Sequence, residues 1–286
     1  MEINFKKATL DDRDTVVSVI SKSDYRFCEQ TFCNILCWGG FYGVQIFCDG
    51  NVFISGNPDK KRFSMPIGDG KAEAIESLCR MYGDIRITGI SGAETALFDK
   101  RFEVTPAKAY NDYIYSSESL RELRGKKLAA KRNHINAFLS DGEWYTKHIT
   151  PADKDELITF NNKWCDNRCE DLNSALGTEM CVVRMGLENF EKLGLMGLKL
   201  YKNGKLVAYS YGEPINGDTF CVHVEKADDS VRGAYQMINR EFAREFCTDF
   251  EYINREDDAG DEGLRHAKLS YRPLELGQKY TAIFKG

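Results

Sequence analysis

One segment constrains the fold of this chain more than any other. Val231, Tyr235, Ile238, Phe242 and Phe246 form an apolar stripe at helical spacing, while Arg240, Glu241, Arg244 and Glu245 occupy the wet side. Strand-forming residues bracket it, Thr219–Val224 before and Phe250–Asn254 after. A helix with one apolar face between two strands buries that face on a sheet, and with the element order read below the expected class is α+β.

The rest of the second half fits this frame. Asp153–Trp164 reads as a helix with Leu157, Phe160 and Trp164 on one face. Leu198–Tyr201 and Leu206–Tyr211 read as strands around the turn Asn203-Gly204, and Asn216-Gly217-Asp218 makes the next turn. A short helix is expected over Gly263–Ser270. The first half repeats the order: a helix from Thr15 after Asp11 and Asp12, and a hairpin over Val44–Ser55 around Asp49-Gly50-Asn51. A helix through Ala72, Ile75, Leu78 and Tyr82 follows, then a strand Ile85–Ile90, a short helix near Glu94–Asp99 and a strand Asn111–Tyr115. This order is similar to that of the N-acetyltransferase-like (GNAT) fold, and its repetition implies two such units in tandem. The expected division is residues 1–117, a basic linker helix over 118–142 and a second unit over 143–286. A length of 286 residues agrees with two units.

A net charge of −5 excludes a general nucleic-acid binder. Charge is nonetheless uneven, with Arg121, Arg124, Lys126, Lys127, Lys131 and Arg132 opposed inside their window only by Glu122. Such a patch attracts phosphates, although a solvated helix has the same composition. No apolar run reaches bilayer-spanning length and the N-terminus lacks a secretory apolar region, so a cytoplasmic protein is expected. Cys48, Cys181, Cys221 and Cys247 fall in apolar elements and read as buried, reduced thiols. Cys28, Cys33 and Cys37, and the pair Cys165 and Cys169, lack the spacing of a zinc site, so no metal is expected.

The densest candidate site lies in Tyr252–Tyr280, where an acidic run (Glu256, Asp257, Asp258, Asp261, Glu262) precedes Arg265 and Lys268. The run lacks calcium-loop spacing. Arg265 and Lys268 share a helical face and can stabilise a developing oxyanion, or simply pair with Asp257, Asp258 or Asp261. Glu225, at the end of its strand, is a candidate general base; His223 and His266 are read as core or rim residues. Arg232 and Gly233, with Ala234, open the long helix where a phosphate-binding turn would sit, but Asp228 and Asp229 bring negative charge there. A plain N-cap by Asp229 or Ser230 is the competing reading.

The segment Gly125–Ile149 resembles the central stretch of the aminoacyl-phosphatidylglycerol synthase (phosphatidylglycerol lysyltransferase) catalytic domain, with Gly125, Lys126, Lys127, Arg132 and Asn136 matching. Arg265, Lys268, Pro273 and Tyr280 resemble that family's closing pattern. The whole chain looks like a soluble, uncharacterised bacterial group related to those synthases. The resemblance implies transfer of an amino acid from aminoacyl-tRNA to a phospholipid, and Fem-type aminoacyltransferases share the architecture and donor. The family's multi-span N-terminal part has no counterpart here, so a small-molecule acceptor is also expected. Lys268, Arg265 and Glu225 then stand as catalytic candidates, and Lys126, Lys127, Arg132, Asn136, Arg232 and Gly233 as donor- or phosphate-binding ones. Two alternatives stand beside this: a non-catalytic GNAT-like module for a phosphate-bearing ligand, and an acyl-CoA-dependent N-acetyltransferase.

Overall fold

The computed structural model describes residues 1–107, 110–166 and 175–286. Cys169 falls outside them. Each half opens on the same device. Thr9 N–H and Oγ1 donate to Asp12 Oδ2 at 2.9 Å just before α1 (Arg13–Ile20). Thr150 N–H and Oγ1 donate to Asp153 Oδ2 at 2.8 and 2.9 Å just before α6 (Lys154–Asp166). In both, a threonine and an aspartate three residues on satisfy the donors of the first turn.

After α1 the chain forms α2 (Phe32–Tyr42), β1 (Gln45–Cys48), β2 (Val52–Asn57), β3 (Arg62–Ser64), β4 (Ile67–Gly68), α3 (Lys71–Tyr82), β5 (Ile85–Ile90) and β6 (Phe102–Pro106). Next come β7 (Asp112–Ser116), α4 (Ser117–Glu122), α5 (Ala129–Leu139), β8 (Trp144–His148), α6 and α7 (Ala175–Glu188). The chain ends with β9 (Met196–Lys202), β10 (Lys205–Pro214), β11 (Thr219–Ala227), α8 (Ala234–Phe246), β12 (Tyr252–Asn254), α9 (Glu262–Leu269), β13 (Glu275–Gly277) and β14 (Tyr280–Phe284).

These strands make two mostly antiparallel sheets flanked by helices. The first runs β1-β2-β3-β5-β14-β6 with β4 also on β2; the second runs β13-β7-β12-β11-β10-β9-β8. Among the described residues each sheet holds one parallel pair, β3 with β5 across α3 and β11 with β12 across α8. Parallel neighbours need a long crossover, and the stripes of α3 and α8 supply it. Three apolar cores follow: α3 on the first sheet, α4, α5 and α8 on the second, and α1, α2, α6 and α7 between the sheets.

The last strands of the two halves trade places. Strand β7 ends the first half yet inserts between β12 and β13 of the second sheet. Strand β14 ends the second half yet inserts between β5 and β6 of the first. Lys279, immediately before β14, is 3% exposed and its Nζ donates to Asp112 Oδ1 at 2.7 Å and Glu29 Oε2 at 2.6 Å. Asp112, fully buried at the start of β7, also accepts from Cys28 N–H at 2.8 Å and Asn254 Nδ2 at 2.7 Å. Burial opposes charge on Lys279, but the two carboxylates outweigh it and hold the ammonium well above the usual lysine range.

Three expectations change. The basic segment is not one helix: Leu123 at φ 51° and Gly125 at φ 86° break it into α4 and α5, because left-handed residues cannot continue a right-handed helix. The strongly apolar α2 was not anticipated. The cysteine reading holds for Cys221 and Cys247, but Cys48 is only half-buried, Cys181 is exposed and Cys165 is disulfide-bonded.

Replacing Asp112 by Ala leaves Lys279 buried beside a single carboxylate. The expected loss is about 3–5 kcal/mol in urea unfolding, the range for breaking a buried pair. Arg101→Ala, which breaks half-exposed pairs with Glu76 and Asp99, should leave the urea midpoint nearly unchanged.

Candidate functional site

Strands β11 and β12 pair only over Thr219–Cys221 and Tyr252–Asn254. Beyond that, β11 runs on to Ala227 while the chain after Asn254 turns away, with Glu256 at φ 57°. Two parallel strands part at their carboxyl ends here, the usual position of a ligand crevice in such sheets. Strand β11 is also bulged: Tyr211 opposes Val224 and Gly212 opposes Val222, so His223 is the extra residue. The bulge changes which face the following residues occupy. Cys221 and Val224 face the inter-sheet core, whereas Phe220, Val222 and Ala227 face α8.

Lys268 fixes the departing segment. Its Nζ donates to the backbone carbonyls of Arg255 at 2.6 Å, Glu256 at 3.3 Å and Asp257. Burial pushes its ammonium below the usual lysine range, with Glu256 and Asp257 resisting and Arg255 reinforcing the shift. Carbonyl dipoles replace the water it has lost.

On the α2 side of the crevice, His223 lies between two carboxylates. Its Nδ1 is 2.8 Å from Glu256 Oε1 and its Nε2 3.1 Å from Glu213 Oε1. Glu213 Oε1 also accepts from Cys33 N–H at 2.9 Å, so this buried carboxylate caps the first turn of α2. Asn34 Nδ2 donates to Glu256 Oε1 at 2.9 Å. Burial disfavours the imidazolium, yet its neighbours raise His223 well above 6.5: Cys221 Sγ lies 3.7 Å from Nδ1, and both carboxylates are in hydrogen-bond contact. Burial pushes the Cys221 thiol up to about 12, so it is neutral and we assign the shift to the carboxylates. Ligand atoms of Cys33, Glu213 and His223, and those of Cys221, His223 and Glu256, lie within 4.8 Å of one another. In both groups imidazole and carboxylate are already hydrogen-bonded to each other, which makes this a buried ion network.

On the α8 side, Glu225 Oε1 accepts from Arg255 Nη2 at 2.9 Å and Oε2 from Asn239 Nδ2 at 2.8 Å. The Arg255 guanidinium lies 4.9 Å from the Tyr271 ring centre, and Lys131 Nζ of α5 lies 4.0 Å from that same centre. Three buried polar atoms here have no hydrogen-bond partner: Arg255 Nη1, Tyr271 Oη and Asn239 Oδ1.

This geometry can be set beside known proteins. A family model for the phosphatidylglycerol lysyltransferase C-terminal region matches residues 22–283. A conserved protein of unknown function from Bacteroides thetaiotaomicron is 39% identical, covering 99% of this chain and 100% of that one, with a TM-score of 0.93. The chain belongs to the phosphatidylglycerol lysyltransferase C-terminal family. L-PGS from Bacillus licheniformis shares the fold at 15% identity and a TM-score of 0.67, covering 100% of this chain and 94% of that one. FemX shares it at 9% identity and 0.59, covering 99% and 97%. The two-sheet α+β architecture is thus the one that L-PGS and FemX share. No helix among the described residues is long and apolar enough to cross a membrane.

The residues that resemble the family's motifs take distinct places. Arg265 clamps Asp258, Nε to Oδ2 at 2.8 Å and Nη2 to Oδ1 at 3.0 Å, and Tyr113 Oη donates to Asp258 Oδ2 at 2.6 Å. Arg265 foremost, with Tyr113, holds that carboxyl down to about 2 against the cost of burial. Arg265 and Lys268 share α9 but serve different partners. Arg132 Nη1 donates to the carbonyls of Leu123 and Gly125, the latter at 2.8 Å, and so staples the break between α4 and α5. Lys126, Lys127, Asn136 and Arg232 are exposed. Gly233, not Asp229 or Ser230, is the N-cap of α8, at φ 85°. A Cβ on Gly233 would stand 2.2 Å from the His134 carbonyl of α5, so only glycine permits that approach. Of the three catalytic candidates, Glu225 alone faces the crevice cluster. Arg255, Glu256 and Tyr271 lie inside the candidate segment Tyr252–Tyr280 but carried no assigned role, and Asn239 and Glu213 lie outside it.

The raised His223 value fixes the sign of a pH effect. A folded pKa above the unfolded one, about 6.5, gives stability that is complete below the unfolded value and lost as pH rises through the folded one. His223→Gln should therefore destabilise most near pH 6, and urea unfolding of both proteins up to pH 9 should show the gap narrowing. A gap that widens with pH would contradict an imidazolium held by Glu213 and Glu256.

Proposed function

We propose that this protein is an aminoacyltransferase that moves an activated carboxyl group, carried as an aminoacyl-tRNA ester, to a hydroxyl or amine at the β11/β12 crevice. The observation that carries this reading is Glu225, a carboxylate oriented by Arg255 and Asn239 at the parting of two parallel strands, in a chain of this family. Glu225 accepts the proton of the attacking hydroxyl or amine as the new C–O or C–N bond forms. The ester C–O bond to the ribose breaks, and the proton passes to the leaving hydroxyl. The exposed Lys126, Lys127 and Arg232, with Arg124, offer phosphate contacts for the donor. L-PGS and FemX support the fold on which this chemistry would run; donor and acceptor are our inference.

An acyl-CoA donor fits less well. Its pyrophosphate would lie at the start of α8, where Gly233 is closed against His134 and the Asp228 carboxylate is bound to Ser230 N–H at 2.9 Å and Ser230 Oγ at 2.6 Å. A carboxylate in that turn repels phosphates.

Total tRNA charged with labelled amino acids, incubated with the protein and a bacterial lipid extract or a soluble amine pool, tests the transfer. Label should leave the tRNA ester for one acceptor fraction, and Glu225→Gln, which keeps the shape of the side chain, should slow this about a hundredfold or more. Full activity in Glu225→Gln would remove Glu225 from the reaction. No transfer by the folded wild-type protein would overturn the aminoacyl reading.

A further inference from the structure

Three clusters of metal-ligating side chains lie among the described residues. In one of them, Cys28 with Glu29 and Asp112, both carboxylates are taken by the Lys279 ammonium. The other two share His223, one through each ring nitrogen. On the Nε2 side, Glu213 Oε1 already serves two partners, the ring at 3.1 Å and Cys33 N–H at 2.9 Å. On the Nδ1 side three ligand atoms form a triangle. Cys221 Sγ lies 3.7 Å from Nδ1 and 3.9 Å from Glu256 Oε1, and Glu256 Oε1 lies 2.8 Å from Nδ1. Cys221 and His223 stand two apart on β11, so they share a face.

We propose that Cys221 Sγ, His223 Nδ1 and Glu256 Oε1 bind one zinc ion. Zinc–sulfur bonds of about 2.3 Å and zinc–nitrogen or zinc–oxygen bonds of about 2.0–2.2 Å, at tetrahedral angles, separate ligand atoms by about 3.3–3.7 Å. Each side of the triangle reaches that range with a change of no more than about 0.5 Å. A thiolate and an imidazole with one carboxylate suit zinc rather than magnesium or calcium. The surroundings match as well. A zinc-bound histidine usually donates its other N–H to a carboxylate, and Glu213 Oε1 stands at His223 Nε2. Asn34 Nδ2, 2.9 Å from Glu256 Oε1, holds the ligating carboxylate.

The metal-free form of this cluster is the buried ion network described above: an imidazolium, two carboxylates and a neutral thiol. Zinc takes the place of two protons, one from Nδ1 and one from Sγ, and both go to solvent. Two positive charges enter as two leave, so the buried net charge does not change. Three protein ligands leave one tetrahedral position for water or a substrate atom. The Glu256 side chain is 24% exposed while that of His223 is only 4%, so access is past Glu256. Cysteine spacing does not reveal this set, because Glu256 joins it only where Lys268 holds the segment that leaves the sheet.

Cobalt(II) added anaerobically to the chelator-stripped full chain, without tRNA, tests the site independently of the transfer reaction. One equivalent should give a thiolate-to-cobalt charge-transfer band with the intense visible bands of a tetrahedral ion, and zinc should displace it. Competition with a chromophoric chelator then reads zinc affinity, with circular dichroism checking the fold of each variant. Cys221→Ser should abolish the thiolate band, and Cys221→Ser and Glu256→Gln should each weaken zinc at least about tenfold. Glu213→Gln should weaken it by about tenfold or more while keeping the band, as for a group that orients a ligand. Cys181→Ser, at an exposed thiol of α7, should change neither. Absence of the band in the wild-type protein, or wild-type zinc affinity in Cys221→Ser or Glu256→Gln, would overturn the site.

Discussion

The Lys279 ammonium between Asp112 and Glu29 is the contact on which the rest of the molecule depends. Strand exchange leaves two connections crossing between the sheets, one entering β7 and one entering β14. Asp112 lies at the end of the first and Lys279 at the end of the second, so a single buried ion pair fixes both crossings. The backbone repeats the link, with Ala107 N–H donating to the Lys279 carbonyl at 2.8 Å and Lys279 N–H to Asn111 Oδ1 at 3.1 Å. Asn254 Nδ2 ties Asp112 to the Arg26 carbonyl as well. Buried pairs of this kind add little net stability over apolar packing but penalise the wrong register heavily. Here the wrong register would be each unit keeping its own last strand.

That exchange also positions the crevice. Strand β7 is the neighbour of β12, and Arg255 N–H bonds the Tyr113 carbonyl while Tyr113 N–H bonds the Glu256 carbonyl at 3.1 Å. The segment that leaves the sheet at Arg255 is thus held from the first half by β7 and from the last by Lys268. A rigid departure lets two residues adjacent in sequence serve opposite faces: Arg255 meets Glu225 beside α8, and Glu256 meets His223 beside α2. A separate cavity of about 540 Å³ lies beside the carboxyl end of β5, lined by Tyr25, Phe27, Ser91 and Glu94 together with Ile114 and Leu276 of the second sheet.

Periodicity made most of the fold legible. The α8 stripe, the hairpin turns and the order of elements all came from spacing, because helix and strand periods survive any tertiary context. Helix α2 did not: FCNILCWGGFY is apolar on every side, as suits a helix buried between two sheets, and an all-round apolar segment carries no amphipathic signal. Strand exchange was equally hidden, since β7 and β14 look alike whichever sheet receives them. The sequence also carries a repeat signal. Thr9 and Asp12 share the spacing of Thr150 and Asp153, and both pairs start the first helix of a unit.

The site was less legible because charge in a sequence does not state its partner. Arg265, Lys268 and Arg132 drew attention as cations near a motif, yet each is spent on holding chain: Arg265 on Asp258, Lys268 on three carbonyls, Arg132 on two. A lysine that fills a nest of carbonyls has no lone pair or free proton to offer a substrate, but without it the Arg255–Asp257 segment has no reason to leave the sheet where it does. Each of the three thus holds chain in this structure. The groups with bonding capacity left over, Arg255 Nη1, Tyr271 Oη and Asn239 Oδ1, belong to side chains that no motif singled out. A motif marks residues a fold needs, and in this chain the motif and the buried cluster meet at Arg255, whose backbone Lys268 holds and whose guanidinium pairs with Glu225.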